Sequence, residues 1–511
     1  MHDKTSYNPT YWEAVTGRPD STYRSLSQNI RTDVVVVGAG IVGLTAAHEL
    51  ARAGKKVVVL EALAVGRQVT ARSTAKVTSQ HGLIYRTLIR NFGDDNAQRY
   101  AQANQEAIEY IAAVVAKKNI ECGFERLPAY VYTQDLELAS NIDDEAVAAS
   151  TLGLPAHTVT EISAPIDCKN ALRFDDQAQF NPLLYLTGLA RVVAATTQLY
   201  EMTRVVEVQQ DGGIQHVKTE AGHIVTAKHV VIASHLPIVP EGKFFAKAFT
   251  FSHSVAAAEL PAGCDVNGMF ITSDEPTYSF RTDSSRGTPY LIAAGPEYKT
   301  GVPEEQARSF KGLEAFLHEN FGVKNIAYRW TNEDFRSMDG LPFVGPASTA
   351  TPQLYVATGF GAWGITNGVA AARIIADQIL LRENPYSDLF DATRIKLLAG
   401  GTEFVKESLE SAKQFVLGHL GKDSPDAPTH LAIGEGRVTR ENGNSVARYR
   451  DTQGILYELS ASCTHMGCVV EWNDIDLTWD CPCHGSRFSH DGSVLHGPAT
   501  TPLEPPETAS D

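Results

Sequence analysis

DVVVVGAGIVGLTAAHELARAGKKVVVLE, residues 33 to 61, decides the fold of the longer part of the chain. A β-branched run, Val34 to Val37, stops at Gly38, and Gly38, Gly40 and Gly43 open a segment of helical composition that ends near Gly54. A second β-rich run, Lys56 to Leu60, ends in Glu61, 18 positions past the last glycine. GxGxxG alone is a weak signal. Flanked by strand, helix, second strand and acidic residue, it predicts a dinucleotide-binding βαβ unit. Gly38 permits the tight turn, Gly40 lets the backbone approach a pyrophosphate and Gly43 lets helix and strand lie close. The helix N-terminus supplies N–H groups and partial positive charge to phosphates. Glu61 can accept from a ribose 2′-OH and would repel a 2′-phosphate, so FAD or NAD fits better than NADP.

Working outward, residues 339–346 (DGLPFVGP) and 354–380 (LYVATGFGAWGITNGVAAARIIADQIL) read as a strand, a glycine-rich loop and a long apolar helix. That helix start is a second anion-facing site. A reduced flavin is negative at its N1/C2 carbonyl edge, and Gly361, Gly364, Ile365 and Thr366 stand where N–H groups would stabilise it. By itself the segment could equally be an ordinary glycine-rich connection.

Taken together, residues 33–61, 227–235 (AKHVVIASH) and 339–380 resemble the D-amino acid oxidase-like family of FAD amine oxidoreductases, which includes sarcosine and glycine oxidases. The resemblance spans most of residues 30–395. It implies FAD and an interleaved architecture, a Rossmann-like FAD-binding domain (1–95, 165–238 and 325–398) crossed by an antiparallel-sheet substrate domain (96–164 and 239–324). Some members attach FAD through a histidine at the place held here by Ser73–Lys76, or through a cysteine near the last segment. Neither residue is present, so the resemblance implies noncovalent FAD. The stretch TARSTAKVTSQHG (70–82) is expected along the isoalloxazine, with Ser73 and Thr74 bonding flavin or pyrophosphate oxygens. Lys76 and His81 are the catalytic candidates near flavin N5 or the substrate, although a structural role suits His81 equally well. TYSFRTD (277–283) reads as a strand whose Arg281 either clamps a substrate carboxylate or, the better reading, is an exposed or ion-paired structural arginine.

The chain has seven cysteines, four of them in CTHMGC (463–468) and CPCH (481–484). The spacing Cys463-x-His465 and Cys481-x-x-His484 could hold zinc. The extra Cys468 and Cys483 argue against that, and CTHMGC with CPCHGS resembles the signature of Rieske [2Fe–2S] proteins. The resemblance covers residues 429–503, including a third loop, GPATTPL (497–503). It implies that Cys463 and Cys481 bind one iron, that His465 and His484 bind the other, and that a Cys468–Cys483 disulfide ties the loops. Paired cysteines of this kind mark the electron-carrier branch rather than ring-hydroxylating oxygenases. High-potential carriers have tyrosine where Phe488 stands here, which implies a lower potential. Cys122, Cys168 and Cys264 are scattered and read as small buried hydrophobes.

At 511 residues, the chain has room for roughly three domains at ~150 residues each. A net charge of −16 argues against a nucleic-acid surface. No run of about 18 apolar residues predicts a membrane span. The N-terminus shows no secretion signal, so a cytoplasmic protein is expected. Residues 399–428 read as a helical linker, with an amphipathic helix over 403–420 and a hinge at GKDSPDAP, and 504–511 as a loose tail.

The expected fold class is therefore α/β plus all-β. The order flavin then Rieske resembles a bacterial group of amine-oxidase-like flavoproteins with a C-terminal Rieske domain. It implies a dehydrogenase: a C–N bond of an amine or amino acid is oxidised, the imine hydrolyses, and electrons leave singly to a protein acceptor. Two rivals stay open, a reductase fed by a protein donor through the cluster and a redox-responsive electron-transfer adaptor without small-molecule turnover.

Overall fold

The computed structural model describes residues 8–17, 22–285, 287–394, 431–441 and 443–506; the expected linker helix and hinge lie outside these residues. Val34–Val37, buried at every position, is a central strand of a six-stranded sheet. It pairs in parallel with Val57–Leu60 on one side and His229–Ile232 on the other. Beyond these lie Gln198–Tyr200 at one edge, and Leu354–Thr358 followed by the antiparallel Phe343–Pro346 at the other. A parallel strand covered on both faces has no solvent side, which is why the valine run lacks alternation. Helix Ile41–Arg52, entered from Gly40, lies against helix Gly364–Ile379, whose residues are almost all buried. Both glycine-rich loops thus open at one end of the sheet.

The second layer is a nine-stranded sheet. Its order runs Tyr328–Ser337, Ala248–Glu259, Tyr290–Tyr298, Ser279–Asp283, Met269–Thr272, Glu125–Thr133, Asn170–Gln179 and Lys76–Val77, with Ala156–Val159 also on Asn170–Gln179. All pairs are antiparallel except Met269–Thr272 with Glu125–Thr133. Sheet pairing divides the chain differently from the expected ranges. Strands Asn170–Gln179 and Tyr328–Ser337, placed by sequence with the flavin unit, hydrogen-bond in the large sheet. A strand's local pattern states that it is extended, not which sheet accepts it.

The C-terminal region is all β, in two small antiparallel sheets. One holds Gly436–Glu441, Asn444–Arg450 and Leu456–Ser460; the other holds Glu471–Asn473, Thr478–Asp480, Arg487–Ser489 and Val494–His496. Between them Tyr449, Trp472, Trp479 and Phe488 form a core with Cys463, Cys468, Cys481 and Cys483. The whole is an α/β FAD-type fold interleaved with a large, mainly antiparallel sheet and followed by a small β domain. No helix among the described residues is long and apolar enough to cross a membrane.

The β domain is seated on the large sheet by a buried polar network. Arg487 donates to Asp480 and to Asp476 at 2.8 and 2.9 Å, and Arg72 reaches Asp476 from the other side at 2.5 Å. Thr331 donates to Asp476 and accepts from Arg487, and Gln306 donates to Asn473 at 2.7 Å. Burial would raise the Asp476 carboxyl, but Arg72 and Arg487 outweigh it and hold it below the usual carboxylate range. Gly485 fits here because a Cβ would stand 1.9 Å from Glu333 Oε1.

Candidate functional site

Two cavities and a pair of loops carry the chemistry. The first cavity is lined by Gly38, Gly40, Glu61, Ser73, Gly364 and Ile365 among others. Gly38 has φ +101°, and a Cβ there would meet Ala233 O at 2.5 Å. Gly43 lies behind the wall, where a Cβ would fall 1.9 Å from Gly38 O. The buried Glu61 accepts the Ala39 and Leu63 N–H groups at 2.8 and 3.0 Å. Burial pushes its carboxyl up against the pull of those donors. The glycine cradle at a helix start and a carboxylate one strand away suit a dinucleotide such as FAD.

The second cavity is lined by Ser73, Thr74, Lys76, Tyr130, His253, Ile365 and Thr366, among others. Ser73, Asn332, Ala362 and Ile365 border both cavities, so the two adjoin. Asn332 Oδ1 is buried without a hydrogen-bond partner, as expected of a group meant for a ligand. Trp12 Nε1 donates to Ser73 O, and Trp330 Nε1 to Arg72 O, which hold the stretch between the cavities. Lys76 Nζ donates to Thr74 Oγ1 and Ser279 Oγ, both at 3.1 Å. Among the described residues, no carboxylate lines this cavity. Burial, helped by the Arg281 charge, brings the Lys76 ammonium down to about 7.

Other expected residues lie elsewhere. Gly361 lines neither cavity; its N–H donates to Phe335 O at 2.8 Å. His81 also lines neither. It bonds Tyr100 OH at 2.7 Å and Thr78 O at 2.8 Å and stacks on Trp363, and burial lowers it to about 3. These are the contacts of a structural histidine. Arg281 is fully buried rather than exposed, donating to the carbonyls of Thr74, Phe180 and Thr282. Cys122 is buried, while Cys168 and Cys264 are part-buried.

In the β domain, Cys463 N–H donates to Cys468 O, and Cys481 N–H to Ser486 O, each at 2.8 Å, so each loop closes on itself. The structure brings Cys468 and Cys483 together in a disulfide and leaves Cys463 and Cys481 as buried thiols. Cys468, Cys481 and Cys483 crowd within 4.8 Å, but the disulfide removes two of these as ligands. The His465 and His484 rings stand 5.0 Å apart at 90°, and Phe245 meets both edge-on at 5.7 and 5.6 Å. His465 Nδ1 is buried with no partner. Burial lowers both imidazoles, His484 to about 4. Two thiols and two imidazoles, one with an orphaned ring nitrogen, are the donor set a Rieske cluster takes.

Several site residues carry no sequence signal. Asn332, His253, Asp334 and His496 belong to no motif, and His235 closes AKHVVIASH, a stretch whose reading assigns it no role. Arg204 and Gln68 line the first cavity from segments that carry no motif.

Comparison with known proteins gives a consistent result. The family model described as FAD dependent oxidoreductase matches residues 33–378, and the Rieske [2Fe-2S] domain matches residues 427–507. A Bacillus subtilis (strain 168) protein, YhfW, provisionally named a Rieske 2Fe-2S iron-sulfur protein, is 35% identical across 97% of both chains. Gamma-glutamylputrescine oxidoreductase of Escherichia coli (strain K12) is 25% identical over 76% of this chain and 92% of its own. Glycine oxidase from Geobacillus kaustophilus superposes with a TM-score of 0.60 at 17% identity, covering 72% of this chain and 100% of that one, a likeness of fold.

Proposed function

Because the chain belongs to the FAD-dependent oxidoreductase family and carries a Rieske [2Fe–2S] domain, we propose that it dehydrogenates the C–N bond of an amine or amino acid and delivers electrons singly to an external acceptor protein. Bound FAD supplies a two-electron hydride acceptor and the bound cluster a one-electron carrier. The observation that carries the reading is the shared border of the two cavities at Ser73, Asn332, Ala362 and Ile365, which would let a small molecule in the second cavity lie against FAD in the first. Relatives named for glycine and for a putrescine derivative support an amine-bearing substrate.

The chain's own residues have definite tasks in this reading. Lys76, brought down to about 7 in a cavity with no carboxylate among its described lining residues, takes the proton that a substrate ammonium must lose before oxidation. Asn332 orients the substrate or the flavin through its free Oδ1. Ser73 and the start of helix Gly364–Ile379 hold noncovalent FAD. Cys463 and Cys481 bind one iron and His465 and His484 the other, while the disulfide clamps their loops. The expected compartment is the cytoplasm.

Anaerobic mixing of the oxidised protein with a panel of amines and amino acids tests this, with flavin bleaching followed optically and the reduced cluster by EPR. Bleaching followed by a Rieske signal is the expected result. Silence from every compound, with a protein donor reducing both centres instead, would replace the dehydrogenase with a reductase.

A further inference from the structure

The C-terminal β domain does more than sit beside the flavin cavity. Leu495, His496, Gly497, Ala499 and Thr500 line that cavity together with Gly40, Glu61 and Gly364. The segment is pinned to the flavin domain at successive residues. Arg204 Nη2 donates to Val494 O at 2.5 Å, and Gln68 Nε2 donates to Leu495 O at 2.9 Å. His496, 7% exposed, meets His235 with 3.3 Å between Nε2 and Nδ1.

His235 extends the contact inward. Its Nε2 lies 2.9 Å from Asp334 Oδ1, and a carboxylate only accepts, so Nε2 carries the proton and Nδ1 accepts from His496. Asp334 Oδ2 in turn accepts the Ala362 N–H at 2.8 Å, in the loop that opens helix Gly364–Ile379. His235 holds φ +70°, a conformation that costs a non-glycine residue energy and persists when its surroundings hold it. One hydrogen-bonded chain therefore runs from the β domain to the flavin-side loop.

The same segment is tied to the cluster loops. Ala499 N–H donates to Ser486 Oγ at 3.0 Å, and Thr464 Oγ1 donates to Thr501 O at 2.7 Å. Ser486, fully buried, accepts the Cys481 N–H through its carbonyl. Thr464 stands between Cys463 and His465. A rearrangement of either cysteine loop therefore moves Ala499 or Thr501, and with them the cavity wall.

We propose that Val494–Thr500 is a wall common to both cofactor sites, so that FAD retention and cluster occupancy are thermodynamically coupled. The flavin site is complete only when the β domain is folded around its cluster. Linkage then requires reciprocity: whatever factor the cluster adds to FAD affinity, FAD adds to cluster retention. Cofactor contents then rise and fall together, and a chain lacking one cofactor holds the other more weakly. This goes beyond the amine reading and does not depend on the substrate or on the direction of electron flow.

The test uses full-length protein. FAD is titrated by fluorescence into flavin-stripped protein with the cluster retained and with the iron removed by chelation, circular dichroism reporting the fold. Iron release is timed with and without saturating FAD. Ser486→Ala and His496→Leu are titrated in parallel, with EPR showing that each keeps its cluster. The expected result is an FAD Kd at least tenfold weaker without the cluster, slower iron release with FAD, and several-fold weaker FAD binding in both variants. A Kd unchanged within twofold on cluster removal would overturn the proposal. So would unchanged FAD binding in both cluster-loaded variants, because the effect of iron removal would then come from general loosening rather than from this wall.

Discussion

The cluster loops and the second cavity are built in opposite ways. The four proposed cluster ligands come from 22 consecutive residues, Cys463 to His484. Their loops close through hydrogen bonds between near neighbours, Cys463 with Cys468 and Cys481 with Ser486. The second cavity gathers Lys76, Tyr130, His253, Met269, Asn332 and Trp363 from six stretches of chain, the first five brought together by the large sheet and Trp363 by the start of helix Gly364–Ile379. A locally closed site tolerates change at a distance, whereas an assembled one depends on every strand that frames it. The substrate-side chemistry is therefore the more fragile of the two and the less visible in a motif.

The strongest attack on this contrast is Lys76→Met. Loss of the proposed proton acceptor should slow substrate reduction of the flavin by ~10²–10⁴-fold in stopped-flow, the usual range for a general base. The wild-type rate should rise with pH through about 7, as Lys76 becomes neutral, then level off; the variant should lack that limb. An unchanged rate and pH profile would mean that the cavity's chemistry does not lie in Lys76.

Next in size is Arg487→Met, which takes the cation from the buried Asp480 carboxylate, leaving it the Asn473 and Thr478 donors, and leaves Asp476 with Arg72 and Thr331. Removing one partner from such a network costs about 3–5 kcal/mol, to be read from urea unfolding. A cost below about 1 kcal/mol, the range of exposed pairs, would mean that the β domain is not seated as described. Gly43→Ala should be milder, because a Cβ 1.9 Å from Gly38 O forces helix and strand apart. Overpacking of this kind costs about 1–3 kcal/mol, with lower FAD content per chain. Retained FAD and stability would show that the loop relaxes without penalty.

Smallest is Phe488→Tyr. Phe488 is fully buried in the core that holds the cluster cysteines. A hydrogen bond to a charged acceptor is worth about 1.5–3 kcal/mol and favours the electron-richer reduced state, so the cluster midpoint should rise on the order of tens of millivolts. No shift would place the new hydroxyl away from the thiolates and make the local loops less self-contained than they look.

The α/β-plus-β architecture was legible because its determinants are short-range. Four consecutive valines ending in a glycine turn read as a strand, and the structure makes it a buried one paired in parallel on both sides. Spacing alone led to a dinucleotide site and a thiol-imidazole set, and the resemblance to known families narrowed these to FAD and a Rieske cluster. Sheet membership was not legible: Asn170–Gln179 and Tyr328–Ser337 hydrogen-bond in the large sheet although their sequence positions suggested the flavin unit. Nor could sequence separate Lys76 from His81, because a lysine in a cavity and a histidine bonded to Tyr100 and Thr78 are indistinguishable until their neighbours are known.

What the sequence by itself determined is whatever a few adjacent residues can dictate through backbone sterics and ligand chemistry: the nucleotide turn, the covered strands and the thiol-imidazole spacing. Tertiary structure decided the rest. It alone set Asn332 between two cavities, seated Arg487 on Asp476 and laid His496 against His235 in the wall of the flavin cavity. These contacts join residues hundreds of positions apart, and their energies depend on burial and partner geometry, which exist only once the sheets have formed and the β domain has docked.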